Sequence, residues 1–448
     1  MKRYISCHND YYMQSENKQS YVTSLILVGG LFFIFGFITW LNGTLIPFLK
    51  TACELSNFES YLVATAFFAS YFIMALPSSA ILKKTGFKKG MSLGLFIMAI
   101  GTVIFIPAAM QRSYAFFLLG LFTQGLGLTI LQTATNPYVT ILGPEESAAS
   151  RISMMGICNK AAGIISPIIF ATILLSNSAS INEHVGKLNE QIAALQKQKL
   201  PFDSLVQEKA QLLNELTSRI INPYIVLTIV LVVLAALVLK SPLPDLQDEE
   251  ENPDTDVNVH PSIWNHTYLF LGALAIFVYV GVEVLSGDSI IGYGKALGIA
   301  DNETRFFTSF TLGAMVVGYF VGIFLTPKFI SQEKYLVICA ILGLAMTGGV
   351  LMTEGRTSIY FLAALGFAHA IMWPAIWPMS LKGLGKYTKT GAALLIMGIA
   401  GGAIIPPLFG YLIDSMGSQQ SAYILMVPCY LYILYFALWG HKAGYKKP

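Results

Sequence analysis

Apolar residues along the chain fall into long runs that end at charged residues, glycine or proline. A helix needs about 20 apolar residues to cross a bilayer core about 30 Å thick. Twelve runs have roughly that length, at 21–49, 58–82, 91–110, 114–142, 152–176, 222–239, 264–292, 304–326, 334–352, 358–380, 390–414 and 421–440. The pattern predicts an all-α membrane protein with twelve transmembrane helices.

The composition agrees with a membrane protein. Charged residues make up only 12% of the 448 residues and hydrophobic residues 55%, whereas a soluble domain carries about 25% charged residues. The net charge of +3 gives no reason to expect a nucleic-acid partner, so membrane lipid is the expected surrounding. The five cysteines are scattered without metal-ligand spacing, and no cofactor is expected. The polar residues before the first run lack the pattern of a signal peptide.

Two polar interruptions divide the predicted bundle. Residues 241–262 carry seven acidic residues and several prolines, a composition that predicts a linker without a packed core. Residues 177–221 instead repeat apolar side chains at helical spacing on both sides of Pro201, which predicts an external helical hairpin. The sequence does not indicate its role. The predicted organisation is an N-tail (1–20), a first six-helix half (21–240), an acidic linker (241–262) and a second six-helix half (263–448).

The basic residues predict the orientation in the membrane. With both termini in the cytoplasm, cytoplasmic segments hold 17 Lys+Arg and external segments 10, and one lysine stays inside a run. Cytoplasmic loops of membrane proteins carry the excess of Lys and Arg. We therefore expect both termini and the acidic linker on the cytoplasmic side.

The two halves show a weak internal repeat. A shift of 240 residues aligns Gly143 with Gly383, Pro167 with Pro407 and Phe37 with Phe277. A single shift aligns residues in three pairs of runs, as expected if a six-helix unit had been duplicated. Duplicated halves around a site at the bilayer midplane are a transporter architecture, and the major facilitator fold is the six-plus-six example.

Few ionisable residues lie inside the runs. Glu283 lies past the middle of the seventh run, and Lys160 lies nine residues into the fifth. An ionisable group in hydrocarbon costs several kcal/mol and is a candidate functional residue by default. We expect Asp288, one turn after Glu283, to lie in water at the end of the span.

Amide side chains gather on the fourth run. Gln124, Gln132 and Asn136 are eight and four residues apart, so they share one helix face. Amides that faced lipid would be unsatisfied, so this face must contact protein or a cavity. Asn42 on the first run and Asn159 on the fifth are candidates for the same cavity, with helix-to-helix hydrogen bonding as the alternative.

Aromatic residues mark the tenth run. His369, Trp373 and Trp377 repeat every four residues and are predicted to form one stripe. Indole faces stack on the C–H faces of sugar rings, and amides bind hydroxyl groups. Amides and tryptophans with few charges therefore favour a neutral polyol as the ligand.

Three segments carry a resemblance to a known family. Residues 35–47 (FGFITWLNGTLIP), 131–144 (LQTATNPYVTILGP) and 372–378 (MWPAIWP) resemble the fucose:proton symporter family of the major facilitator superfamily, in particular its glucose/galactose transporter branch. The resemblance implies cation-coupled import of a hexose, glucose or galactose, by alternating access in a bacterial inner membrane. We expect the chain to act as a monomer and not as an enzyme.

The same resemblance suggests roles for individual residues. Fucose members keep acids at the positions of Gly43 and Gln132, and this chain has neither. Asn159 and Trp373 match cavity residues of the family, and the 240-residue shift pairs Gly43 with Glu283. We therefore expect Glu283 to couple transport to H⁺ or Na⁺. The expected substrate-binding residues are Trp40, Asn42, Gln132, Asn136, Asn159, Lys160, His369 and Trp373.

Several alternatives stay open at this point. A uniporter would have the same cavity without cation coupling, and a sugar sensor would bind without transporting. Fucose, mannose or N-acetylglucosamine could replace glucose and galactose as the substrate.

Overall fold

The computed structural model of the protein is helical throughout the described part of the chain. It describes residues 2–141, 148–175, 178–241, 262–326, 329–384 and 387–444. Most of the predicted acidic linker, residues 242–261, lies outside the described residues. The helix α1 begins at Lys2, so it includes the residues predicted as an N-tail.

The helices are α1 (Lys2–Thr39), α2 (Asn42–Ala52), α3 (Asn57–Met110), α4 (Tyr114–Ile141), α5 (Ala148–Leu174), α6 (Ser178–Lys197), α7 (Asp203–Ser218), α8 (Ile221–Lys240), α9 (Thr267–Ala296), α10 (Asp301–Thr304), α11 (Phe307–Leu325), α12 (Gln332–Met352), α13 (Gly355–His369), α14 (Met372–Leu381), α15 (Thr388–Met397), α16 (Gly401–Met416), α17 (Gln419–Ala422) and α18 (Met426–Leu438). Short 3₁₀ turns lie at Ile263–Asn265, Gly398–Ala400, Tyr423–Leu425 and Gly440–Lys442.

The described helices provide twelve membrane spans. Eleven helical stretches are long and apolar enough to cross a membrane. One of them, α3, has 54 residues and would be roughly 80 Å long as a straight helix, far more than a span requires. It is broken at Gly86, whose φ of 76° favours glycine. Two spans therefore meet at Gly86, which gives the twelve that the apolar runs predict.

Two spans are interrupted near their middle by residues that belong to no helix. The first consists of α1 and α2, which are separated at Trp40 and Leu41. The tenth consists of α13 and α14, which are separated at Ala370 and Ile371. Transporters of this architecture often build their substrate sites from such discontinuous helices.

The polar segment before the sixth span folds as two helices, α6 and α7, which pack on each other, and α7 also packs on α2 and α3. Leu213 and Leu216 of α7 are buried in this contact. Lys209 pairs with Glu54 after α2 and donates a hydrogen bond to Asn189 on α6. The hairpin is therefore attached to the bundle where α2 ends and α3 begins, which we call the Asn57 end.

The two halves meet mainly through four pairs of helices, α2 with α9, α3 with α15, α3 with α16, and α5 with α11. At the Asn57 end, Asp414 of α16 accepts hydrogen bonds from the side chain of Asn57 and the backbone amide of Phe58. Further in, Thr65 donates to the backbone oxygen of Ala403, and Ser309 donates to that of Ile164. Among the described residues, hydrogen bonds between the halves extend from this end to the middle of the bundle.

Candidate functional site

Two side chains of opposite charge meet in the middle of the bundle, one from each half. Lys160 Nζ on α5 lies 2.9 Å from Glu283 Oε1 on α9, and the two side chains are only 10% and 12% exposed. Removing one partner of a buried ion pair costs about 3–5 kcal/mol, because the other charge is left unpaired. Each of these residues therefore requires the other in this arrangement of the halves.

The indole of Trp40 packs against the ion pair. Lys160 Nζ lies 4.6 Å from the centre of the Trp40 ring, a cation–π contact worth about 2 kcal/mol when the ammonium is desolvated. The interruption between α1 and α2 places Trp40 here, and the residue is only 4% exposed. Both halves thus contribute to a single charged and aromatic cluster.

Two glycines provide the space for the Trp40 ring. A Cβ at Gly163 on α5 would lie 2.5 Å from Trp40 Cδ1, and a Cβ at Gly287 on α9 would lie 2.4 Å from Trp40 Cζ3. Real Cβ atoms do not approach other heavy atoms so closely, so both positions need glycine in this packing. Gly287 belongs to the second half, so the contact holds the indole against the opposite half.

The expectation that Asp288 lies in water is wrong. Its side chain is 2% exposed, because α9 continues to Ala296 and α2 packs against it. The carboxyl group lies near the backbone amide of Gly43. Neither carboxyl oxygen has a hydrogen-bond partner among the described residues. The structure therefore adds a second buried acid, five residues after Glu283.

The three members of the predicted stripe have different surroundings. The helix α13 ends at His369, and the two tryptophans lie after the interruption on α14. His369 is fully buried, with Nε2 2.6 Å from the Tyr430 hydroxyl and Nδ1 3.4 Å from the Ser286 hydroxyl. Both ring nitrogens have protein partners, so His369 supports the second half and does not offer a free nitrogen to a sugar in this conformation.

The two indoles of α14 remain available together. Trp373 and Trp377 are each half-buried. Their ring centres are 5.2 Å apart with an angle of 22° between the planes. Stacked indoles present a continuous apolar face to which a sugar ring can pack.

The amides of the fourth span have three different surroundings. Gln132 is half-buried and within hydrogen-bonding reach of the Tyr71 hydroxyl. Asn136 is exposed, whereas Gln124 is fully buried beside Tyr224 of α8. The shared face therefore includes one amide that packs inside the first half and two that a ligand could reach.

The other predicted amides lie close to the interrupted first span. Asn159, next to Lys160, is half-buried, and its Nδ2 lies 3.4 Å from the backbone oxygen of Phe32. Asn42 is 1% exposed, and its Nδ2 has no hydrogen-bond partner among the described residues. A buried donor without a partner is rare in native structures and can be satisfied by a ligand hydroxyl.

Comparisons with known proteins agree with this architecture. The sequence profile of the Major Facilitator Superfamily matches residues 28–182. The chain is 33% identical to the glucose/galactose transporter of Brucella abortus biovar 1 (strain 9-941), over 98% of this chain and 99% of that protein. It is 28% identical to the L-fucose-proton symporter of Escherichia coli (strain K12), over 94% and 93% of the two chains. The chain belongs to the fucose:proton symporter family of the major facilitator superfamily.

A solved structure extends the family likeness to the whole fold. The crystal structure of the family member FucP in the outward conformation superposes with a TM-score of 0.67 at 26% identity, covering 96% of this chain and all of that one. The fold of the fucose:proton symporter family, with two six-helix halves around a central site, therefore applies to nearly the entire chain.

Sequence reasoning identified both members of the central ion pair but not their contact, and it misplaced Asp288. The sequence feature that could have indicated the burial of Asp288 is the pair of glycines that lie near it, Gly43 and Gly287. A Cβ at Gly43 would lie 3.4 Å from Asp288 Cα and 3.2 Å from the backbone oxygen of Gly287. Glycines at positions where two helices approach closely mark the turn on which Asp288 lies.

Replacing Gly287 with alanine tests the packing of Trp40. We expect Gly287→Ala to reduce the rate of sugar transport at least about tenfold, because the new Cβ displaces the indole and separates the halves at the ion pair. Initial uptake rates in proteoliposomes measure the effect. Gly292→Ala on the same helix is the matched control, because the nearest atom to its Cβ is 3.9 Å away. Equal rates for the two variants would contradict the packing argument.

Proposed function

We propose that the chain imports a hexose together with a proton by alternating access of its two halves. The observation that carries the proposal is the buried ion pair between Lys160 and Glu283, which joins the halves beside the indole of Trp40. A charge pair between two moving bodies provides two discrete states, paired and separated, as a coupled transporter needs. The relatives named as a glucose/galactose transporter and an L-fucose-proton symporter support the same conclusion.

The substrate is a neutral hexose, and glucose or galactose is the first choice. The indoles of Trp373 and Trp377 stack against the sugar ring, while Gln132, Asn159 and Asn42 bind its hydroxyl groups. Amides that lose a hydroxyl partner are left unpaired, so the site discriminates strongly against deoxy analogues. L-Fucose is the alternative substrate, since one relative is named for it.

Glu283 has the coupling role because of its position on α9. It pairs with Lys160 of the other half and also contacts the hydroxyl of Tyr279 one turn earlier. Separation of the halves breaks the pair, and the freed charges need water, protons or substrate as new partners. Sugar and proton therefore act on the same equilibrium between two arrangements of the bundle.

The topology follows from the distribution of basic residues. Both termini lie in the cytoplasm, so the Asn57 end of the bundle faces the outside. The hydrogen bonds between Asp414 and the start of α3 close that end. The described arrangement is then the inward-facing state of a monomer in a bacterial inner membrane.

Imposed gradients test the proposed function directly. Proteoliposomes that contain the protein should accumulate labelled glucose or galactose when the outside is more acidic than the inside, because proton entry is linked to sugar entry. A Na⁺ gradient alone should give no accumulation. Equilibration without accumulation under either gradient would indicate a uniporter, and binding without uptake would indicate a sensor.

The same assay tests whether Glu283 couples sugar transport to proton entry or is only a member of a structural ion pair. We expect Glu283→Gln to abolish accumulation. Sugar exchange between equal concentrations should continue at a reduced rate, because Lys160 loses its partner in the closed arrangement. Glu303→Gln is the matched control, because Glu303 pairs with Arg356 where both side chains are exposed. Surface pairs contribute about 0–1 kcal/mol, so accumulation by the control should be unchanged. Full accumulation by Glu283→Gln would overturn the coupling role.

The amides of the fourth span provide a test of sugar binding. Gln132→Leu should weaken hexose binding about 5- to 150-fold, because the loss of a hydrogen bond to the sugar costs about 1–3 kcal/mol. Calorimetric titration of detergent-purified protein with glucose and galactose measures the affinity. Gln124→Leu on the same helix is the control, since Gln124 packs against Tyr224 inside the first half. Undiminished binding by Gln132→Leu would place the sugar elsewhere.

A further inference from the structure

The carboxyl groups of Asp288 and Glu283 differ in whether a cation or a hydrogen-bond donor stabilises their charge. Glu283 has Lys160 2.9 Å away, whereas the oxygens of Asp288 have no hydrogen-bond partner among the described residues. The Asp288 side chain is 2% exposed, so it is also shielded from water. An ionised carboxylate in such surroundings costs far more than a neutral carboxylic acid. The geometry therefore favours a proton on Asp288 when the halves are arranged in this way.

The cover over Asp288 comes from the opposite half. The backbone of α2 passes so closely that a Cβ at Gly43 would lie 3.4 Å from Asp288 Cα. On the same side, Thr308 of α11 donates a hydrogen bond to the backbone oxygen of Gly287. Because α2 belongs to the first half and α9 to the second, separation of the halves at the Asn57 end would expose Asp288 to water.

The ionisable neighbours of Asp288 disfavour a negative charge or leave it uncompensated. They are Glu283 on α9 itself, Tyr61 on α3, Tyr423 in the 3₁₀ turn before α18 and, around Glu283, Lys160 on α5 and His369 on α13. Glu283, five residues earlier on α9, is a like charge that disfavours ionisation of Asp288. Lys160 is already paired with Glu283, so of the two acids Glu283 is the one with a cation.

We infer that Asp288 is the binding site of the coupling proton. The inference rests on the proposed proton symport and names the atom that carries the proton. When the Asn57 end is open, the wet carboxylate of Asp288 takes one proton from outside, which forms the O–H bond of a carboxylic acid. The halves then close over a neutral group. In this closed arrangement the O–H bond breaks, the proton passes to the cytoplasm, and the buried carboxylate that remains favours reopening of the Asn57 end. One positive charge crosses with each sugar.

The test measures proton movement and sugar exchange separately. Purified Asp288→Asn is reconstituted in vesicles that contain a pH-sensitive dye, and an inward glucose gradient is imposed without a pH gradient. Wild-type protein should take up protons with the sugar. Asp288→Asn should lose proton uptake at least about tenfold yet keep glucose counterflow within about threefold, because the neutral amide mimics the protonated acid. Asp301→Asn is the control, since Asp301 forms an ion pair with Lys295 outside the site.

The outcomes distinguish this inference from the function on which it rests. Wild-type counterflow without proton uptake would overturn proton symport itself. Proton-coupled uptake by Asp288→Asn at the wild-type stoichiometry would overturn the role of Asp288 alone.

A second measurement needs no variant, which covers the case in which Asp288→Asn does not fold. Infrared spectra of wild-type protein labelled with carboxyl-¹³C aspartate should show a protonated carboxyl band at neutral pH that the label shifts. Absence of a shifted band would also overturn the inference.

Discussion

The buried ion pair between Lys160 and Glu283 determines how closely the two halves approach and how the residues around it pack. Neither Lys160 nor Glu283 can be buried alone without a penalty of several kcal/mol, so the first half and the second half must approach within hydrogen-bonding distance at this level. That approach requires the space that Gly163 and Gly287 leave for Trp40. The interruption of the first span, which places Trp40 at this level, is part of the same constraint.

The same constraint explains why the contact can be reversible. The interface between the halves includes a charge pair, an indole and a few hydrogen bonds, and each of these can be replaced by water or ligand. Asp414, which holds the start of α3 from the opposite half, lies at the exposed end of the interface and is easily solvated. A transporter needs two packed arrangements that differ by only a few kcal/mol, and such an interface provides them.

Much of the fold was predictable from sequence because bilayer spans have a strong signal. Runs of about 20 apolar residues are visible without an alignment, and the break of α3 at Gly86 separates two runs that the sequence had already divided. Glu283 and Lys160 were also recognisable, since ionisable residues are rare in such runs. Their contact was not predictable, because it joins residues 123 positions apart in different halves.

The wrong prediction for Asp288 has a specific physical cause. The depth of Asp288 depends on where α9 ends, and helix boundaries are poorly determined by apolar runs, since a helix can continue past them. The interruption between His369 and Trp373 was not predictable from the apolar run either. In transporters such interruptions occur where the site is built.

The central claim is that the ion pair between Lys160 and Glu283 holds the halves together. The most direct test swaps the charges of the two residues and measures the distance between the halves. Spin labels at exposed Gln111 and Glu354, one in each half at the Asn57 end, report the closed population by pulsed electron resonance. We predict that Lys160→Glu and Glu283→Lys each deplete the closed population, and that the double exchange restores most of it, a coupling of at least about 1–2 kcal/mol. Additive losses in the double variant would contradict the account.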